Sequence, residues 1–136
     1  MIRTKVTELP IVKGINEIRK MTEKDFLESD YRTKDNISLS NFEKMKNSKE
    51  GEIWIQKVSN NPGYLSGGEE RHGFVPLFAE GFSCHVIVDD IYEGYYYTSN
   101  IVSIDWDKSE FYTLNSTYKF KFNEMTAQEY DKKERT

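Results

Sequence analysis

The chain contains two histidines, His72 and His85, and one cysteine, Cys84, so nucleophilic or metal chemistry must draw on these three and on the carboxylates. Cys84 and His85 are adjacent, which suggests a thiol–imidazole pair. On a strand, however, neighbouring side chains point to opposite faces, so the two cannot grip one metal or share one proton. His72 lies in the glycine-bounded stretch Gly67-Gly68-Glu69-Glu70-Arg71-His72-Gly73 and reaches Cys84 only through tertiary folding. No third ligand stands at metal-binding spacing, and a lone cysteine supplies neither an internal disulfide nor a Cys-rich zinc site. Carboxylates occur in pairs, as Asp89-Asp90 and as Asp105 with Asp107, but both pairs fall at turn signals, where Asp bonds its own backbone. Gly-x-Ser-x-Gly, His-Glu-x-x-His and phosphate-loop patterns are absent. These residues predict a protein that is not an enzyme, with no catalytic residue, no metal site and no cofactor.

Binding chemistry is better supplied. Tyr95, Tyr96 and Tyr97 alternate across a strand, so Tyr96 takes one face and its neighbours the other. Such a set can stack a base or a partner side chain, although tyrosines equally suit half-buried strands. Trp54 fits a first strand and Trp106 the end of a barrel, and both read as core rather than site. The most specific pattern is C-terminal: Thr98-Ser99-Asn100-Ile101-Val102-Ser103-Ile104, a turn over Asp107-Lys108-Ser109-Glu110, then Phe111 to Phe120 with Asn115-Ser116 in its middle. Read as one strand, it puts Thr113, Asn115 and Thr117 on one face and Leu114, Ser116 and Tyr118 on the other. The mid-strand Asn-Ser pair invites a bulge whose amide bonds across to Thr98 or Ser99, a polar latch. The functional alternative makes Asn115 the reader of a ligand edge, since its amide both donates and accepts. The expected ligand-binding set is Asn115, Ser116, Phe111, Tyr96, Thr98, Ser99, Arg71 and Lys119, with stacking from Phe111 or Tyr96. Positive charge within the strands comes from Lys57, Arg71, Lys119 and Lys121; Arg19 or Arg32 could add to it from the helical part or from a neighbouring subunit.

The hairpin, of the form Thr-Ser-x-apolar followed by Thr-x-Asn-Ser-x-Tyr-x-apolar, resembles a strand pair in small proteins of phages and prophages of low-GC bacteria. It is similar to the Thoeris anti-defence sponge family over about 25 residues of the chain. The resemblance implies a small, β-rich, non-enzymatic protein acting in the cytoplasm of a bacterial host cell and sequestering a nucleotide-derived immune signal of the cyclic ADP-ribose type.

The elements that must position these residues change character at residue 50. Before it, apolar residues are scattered at helical spacing: Ile15, Ile18 and Met21 recur every third residue, Thr22 with Asp25 opens a turn over Glu23–Ser29, and Ser40 with Glu43 reads as a capping box. Asp30 to Ser38 reads as a loop. From residue 51 the period is two. Strands are expected over Glu52–Val58, Phe74–Phe78, Phe82–Val88, Tyr95–Ile104 and Phe111–Phe122, the last broken near Asn115-Ser116. The stretch from Ser59 to Gly73 reads as a mobile loop, Pro76 marks its strand as an edge, and Asp89-Asp90 with Glu93-Gly94 bracket a turn. The predicted fold class is α+β: a helical segment over 1–50, an antiparallel β domain over 51–122 forming a small barrel or curled sheet of five to six strands, and a polar tail over 123–136 with a weak helical leaning.

Length and charge bound the rest. At 136 residues, with 32 of Leu, Ile, Val and Phe, the chain lies above the roughly 20% apolar level at which disorder prevails. No apolar run approaches the ~20 residues of a membrane helix, and no signal-peptide core follows Met1, so the expectation is a soluble intracellular protein with no membrane partner. Residues 1–50 hold 11 basic and 9 acidic side chains, whereas 51–122 hold 5 basic and 10 acidic. Phosphate backbones are repelled by that second part, which argues against general nucleic-acid binding. The same acidity supports a different function, inhibition of a host defence protein such as a nuclease through a basic surface. Edge strands, tyrosines and the two-part charge together predict a homo-oligomer.

Overall fold

The computed structural model describes residues 5–62, 65–88 and 95–133. The turns expected at Asp89-Asp90 and Glu93-Gly94 lie outside these residues. Among the described residues a 3-10 turn over Val6–Glu8 leads into four α-helices: α1 (Pro10–Lys20), α2 (Glu23–Glu28), the single turn α3 (Asp30–Thr33) and α4 (Leu39–Lys46). Pro10 sits at the first turn of α1, where its missing amide hydrogen costs nothing. Thr22 caps α2 by accepting from the Asp25 amide. The cap of α4 is Ser38, which accepts from the Asn41 amide, and not Ser40, which lies within the helix. Asp30 to Ser38 is not all loop, because Ser29 carbonyl oxygen accepts from the Arg32 and Thr33 amides and winds α3.

Seven strands follow among the described residues: β1 (Lys49–Lys57), β2 (Glu70–Phe78), β3 (Ser83–Val88), β4 (Tyr95–Asn100), β5 (Ser103–Asp105), β6 (Glu110–Tyr112) and β7 (Thr117–Glu124), before the helix α5 (Ala127–Lys132). They form one antiparallel sheet in the order β4-β3-β2-β1-β7-β6-β5. The class is α+β, with more strands than expected because the last two predicted runs each divide. The run Tyr95–Ile104 breaks at Ile101-Val102, and this break bends the sheet. β4 and β5 are its opposite edges, yet two residues join them, so the sheet must curl into a half-barrel. Ile101 exchanges bonds with the β3 side, donating to Phe82 O and accepting from the Gly81 amide, while the Val102 amide donates to Tyr112 O on β6.

Two glycines permit the curl. A Cβ on Gly73 would lie 2.0 Å from Ile87 O, and one on Gly51 would lie 2.3 Å from Asn123 O. Only bare backbone can approach so closely. Inside the curl pack Ile53, Ile55, Val75, Phe78, Cys84, Val86, Phe111, Tyr118 and Phe120. On the outer face of β2 and β3 lie the helices, with Phe74, Ile87, Val12 and Tyr130 in one cluster and Leu77, Ile18, Phe26 and Phe42 in another.

β2 is therefore buried on both faces, and Pro76 does not mark an edge strand. Between Lys49/Phe78 and Gly51/Val75 the register gains one residue on β2, a bulge around Pro76-Leu77. The bulge accommodates the missing amide and shifts the alternation, so Phe74 and Leu77 both face helices while Val75 and Phe78 both face inward. Arg19 pins the bulge to the helical layer, donating to Pro76 O at 2.6 Å, Ser48 Oγ at 2.8 Å and Glu50 Oε2 at 3.0 Å. The polar tail holds α5, whose capping box of Thr126 and Glu129 starts a turn that buries Tyr130 against Phe74. Asp131 then clasps the start of the chain, accepting from the Val6 and Thr7 amides and from Thr7 Oγ1.

Candidate functional site

The residues expected to bind a ligand do not converge. Asn115 is exposed with Leu114 in a four-residue turn between β6 and β7, not in mid-strand. The turn is closed by the Thr113 amide on Ser116 O at 2.9 Å and by the Ser116 amide on Thr113 Oγ1 at 3.1 Å. A Thr hydroxyl satisfying the turn amide locally is why the strand ends there, so the expected alternation of 113–118 across two faces does not occur. Ser116 turns inward instead, its Oγ accepting from Asn61 Nδ2 at 2.9 Å. Thr98 is buried at the other edge of the sheet and does form a latch, but to β3: its Oγ1 accepts from the Cys84 amide at 3.1 Å and donates to Ser99 O. Ser99 itself is exposed. Phe111 is fully buried, stacked on Tyr118 at 4.9 Å, and presents no face for a ligand to stack on.

Arg71 and Tyr96 do meet. His72 and Arg71 belong to β2 rather than to a loop, because Gln56, Ile55 and Trp54 of β1 pair with Glu70, Arg71 and His72. Odd positions face inward, so Arg71 lies across the inner Tyr96, with its guanidinium carbon 3.9 Å from the ring centroid and Nη2 donating to the hydroxyl at 2.8 Å. Glu69 completes the group at 3.3 Å. Nearby Lys57 is fully buried, its Nζ donating to Asn61 O at 2.6 Å and Leu65 O at 2.9 Å. The inner cations thus organise the 58–69 loop. Lys119 points outward, opposite Glu110 and Gln56. Arg19 is spent on the bulge, and Arg32 donates to Asn36.

Cys84 and His85 fall on opposite faces. Burial pushes the Cys84 thiol up to about 12, so it stays protonated in the core. His85 lies on the outer face against Tyr95 and Tyr97, and loss of solvent holds its pKa below the ordinary value. His72 pairs with Glu52 at 3.0 Å, also outside, which separates it from Cys84. Glu52 is raised by burial but pulled down further by Lys133 and His72, with a net fall below the usual carboxylate range.

A groove of about 830 Å³ lies where α4, the turn after β2 and β5 meet, lined by Lys44, Asn47, Lys49, Glu80, Val102 and Trp106 among others. Trp106 is 47% exposed, and its ring is held edge-on by Phe78 at 5.6 Å, Phe120 at 5.4 Å and Phe122 at 5.9 Å. Lys49 Nζ stands 5.6 Å from the indole centroid. Glu80 Oε2 accepts from the Ile104 amide at 3.0 Å, and Glu43 brings a second carboxylate to the wall. Gly81, at φ +93°, turns the chain beneath Lys44. By sequence alone Trp106 reads as the end of a barrel, and Lys44 and Lys49 carry no signal. Their juxtaposition depends on the bulge and the curl, and neither leaves a local spacing. Compared with known protein families, curated proteins and solved structures, the chain matches none.

Proposed function

We propose that this chain is a non-catalytic binding protein that takes a planar, anionic ligand of nucleotide type in the groove beside Trp106. It would act in a bacterial cytoplasm by sequestering a defence signal, as the sponge family that its C-terminal hairpin resembles does. The observation that carries the reading is the braced, half-exposed indole with Lys49 beside it and Lys44 on the same wall. An indole offers a base a stacking surface worth roughly 1–3 kcal/mol, and Lys44, with Lys49 whose ammonium also lies 3.8 Å from Glu124, offers phosphate its counter-charge. The volume falls within the roughly 300–1,000 Å³ typical of small-molecule sites. The groove brings both kinds of group to one lining, whereas Asn115 and Lys119 are exposed elsewhere and Thr98 is buried.

The test is to incubate the protein with a pool of cyclic nucleotides and ADP-ribose cyclisation products, measure depletion, and release the bound species by heat. Intact recovery is expected from the native chain and from Asn115→Ala, with quenched tryptophan emission on binding. Trp106→Ala should lose capture while remaining folded. Capture undiminished by Trp106→Ala, or no member bound, refutes the groove.

A second reading, a protein inhibitor of a host defence protein, is favoured by Leu114. It is 84% exposed at the tip of the β6–β7 hairpin, in the acidic part of the chain. A projecting apolar tip suits a cleft on a basic partner, where charge complementarity would steer the approach. Leu114→Glu should then abolish inhibition of the partner and leave nucleotide capture unchanged.

A further inference from the structure

A second cavity, of about 390 Å³, lies on the outer side of the sheet, between α1, the start of α4 and the adjoining ends of β3 and β4. Two bulges shape it. The one at Pro76-Leu77 turns Leu77 toward Ile15 and Phe82, which give the cavity an apolar floor. The other lies on β4: Ser83 pairs with Asn100 and His85 with Tyr97, so three steps on β4 answer two on β3. Thr98 holds this bulge through its bonds to the Cys84 amide and Ser99 O. The extra residue brings Asn100 to the outer face beside Ser83, where regular alternation from Tyr96 would have turned it inward. Asn41 of α4 completes the rim. Among the described residues the side chains of Asn41, Ser83, His85 and Asn100 make no hydrogen bond within the chain, and no Lys, Arg, Asp or Glu lines the cavity, although the chain is 31% charged.

From this lining we infer that the cavity is a binding site for an uncharged nucleobase of purine type. Each carboxamide carries a donor and an acceptor side by side, the pattern that pairs with the N6 and N7 edge of adenine. The Ser83 hydroxyl and the His85 imidazole supply two further polar partners, and Phe82 with Ile15 and Leu77 supplies apolar contact for the ring. Burial keeps His85 below its ordinary pKa and so favours the neutral imidazole, which both donates and accepts. The volume suits one small ring system rather than a larger ligand, and lies at the low end of the roughly 300–1,000 Å³ of small-molecule sites. Phosphate finds no counter-charge here. Gly81 lines both this cavity and the Trp106 groove, but Lys44, which stands over Gly81, lines the groove alone. Charge therefore separates the two sites: the groove offers ammonium groups, and this cavity offers only neutral ones.

The inference is independent of the Trp106 groove. Titration of the full chain with adenine, followed by proton NMR, tests it. The chain has two histidines, so the ring signals of His85 are those that persist in His72→Gln. Adenine should shift the His85 signals saturably and leave those of His72 in place. In the native chain its ring protons should also transfer magnetisation to Phe82 and Ile15, a readout that needs no variant. Asn41→Ala and Asn100→Ala should each weaken binding by roughly two- to tenfold with the unfolding midpoint unchanged, and Trp106→Ala should leave it as in the native chain. AMP, read at the same His85 signals, should bind no more tightly than adenine. Unshifted His85 signals, or no transfer to Phe82 and Ile15, overturn the inference. So does binding undiminished in the Asn41→Ala/Asn100→Ala double variant, tighter binding of AMP, or loss of binding in Trp106→Ala, which would put the base in the groove instead.

Discussion

Replacing Lys57 with Met removes a buried ammonium that ties described parts of the β1–β2 connection to the interior. Lys57 is fully buried and donates to two loop carbonyls, Asn61 O and Leu65 O. A hydrogen bond from a charged donor contributes about 1.5–3 kcal/mol, so the two together hold about 3–6 kcal/mol. Met fills a similar volume and avoids the several kcal/mol spent on burying an ammonium, part of which returns to the variant. The net expectation is a loss of about 2–4 kcal/mol. For a chain of this size each kcal/mol lowers Tm by roughly 3–4 °C, giving a fall of about 6–16 °C. Thermal and urea unfolding measure it, and hydrogen exchange over 58–69 should quicken more than over β7. A Lys57→Met chain as stable as the native one would refute the reasoning, because the loop carbonyls would then hold their shape without the ammonium.

Gly73→Ala puts a Cβ 2.0 Å from Ile87 O, on backbone that cannot swing aside, so β2 and β3 must part; a loss at or above the upper end of roughly 1–3 kcal/mol is expected in urea unfolding. Asp131→Ala removes three acceptor contacts that join α5 to the start of the chain, and should cost about 1–3 kcal/mol with faster exchange at the Val6 and Thr7 amides. His85 is held below its ordinary pKa by burial, so the unfolded chain takes up its proton first as pH falls. Stability from this residue is therefore complete above the ordinary histidine range and declines as pH drops through it to the depressed value; His85→Phe should flatten the slope of stability against pH in that window, and an unchanged slope counts against the assignment.

Much of the architecture could be read in advance because its cues are local. The change from three-residue to two-residue spacing near residue 50 marks the passage from helices to strands, and β1 begins at Lys49. Thr22 is a cap because its hydroxyl reaches an amide three residues on, an interaction contained in four residues of sequence. Ser40 is not the cap because Ser38 has the same chemistry two residues earlier and accepts from the Asn41 amide, which leaves Ser40 inside the helix. Pro76 misled because a missing amide normally means an edge, whereas here a bulge absorbs it. Glycine and glutamate neighbours make Arg71 and His72 read as loop; pairing with Trp54 and Ile55 makes them strand, and that pairing lies sixteen or more residues away in the chain.

The site follows the same division between local and distant causes. Asn115-Ser116 stands out in the text because turn residues are locally conspicuous, and the structure uses them as a turn, with Thr113 supplying the bond that ends β6. Trp106 does not stand out, since any indole beside a turn looks like the lid of a core. It becomes a half-open ring only because Ile101-Val102 draws β5 round to the β2–β3 turn, which brings Glu80 onto the Ile104 amide and sets α4 across the gap. The curl of the sheet and the lining of the groove thus share the Ile101-Val102 link. A change that springs the edges apart, such as an alanine at Gly73, should weaken ligand capture at Trp106 as well as stability, even though Gly73 touches no part of the groove. Capture and unfolding midpoints measured across a graded set of Gly73 variants should fall together, and capture that persists while the midpoint drops would separate the groove from the curl.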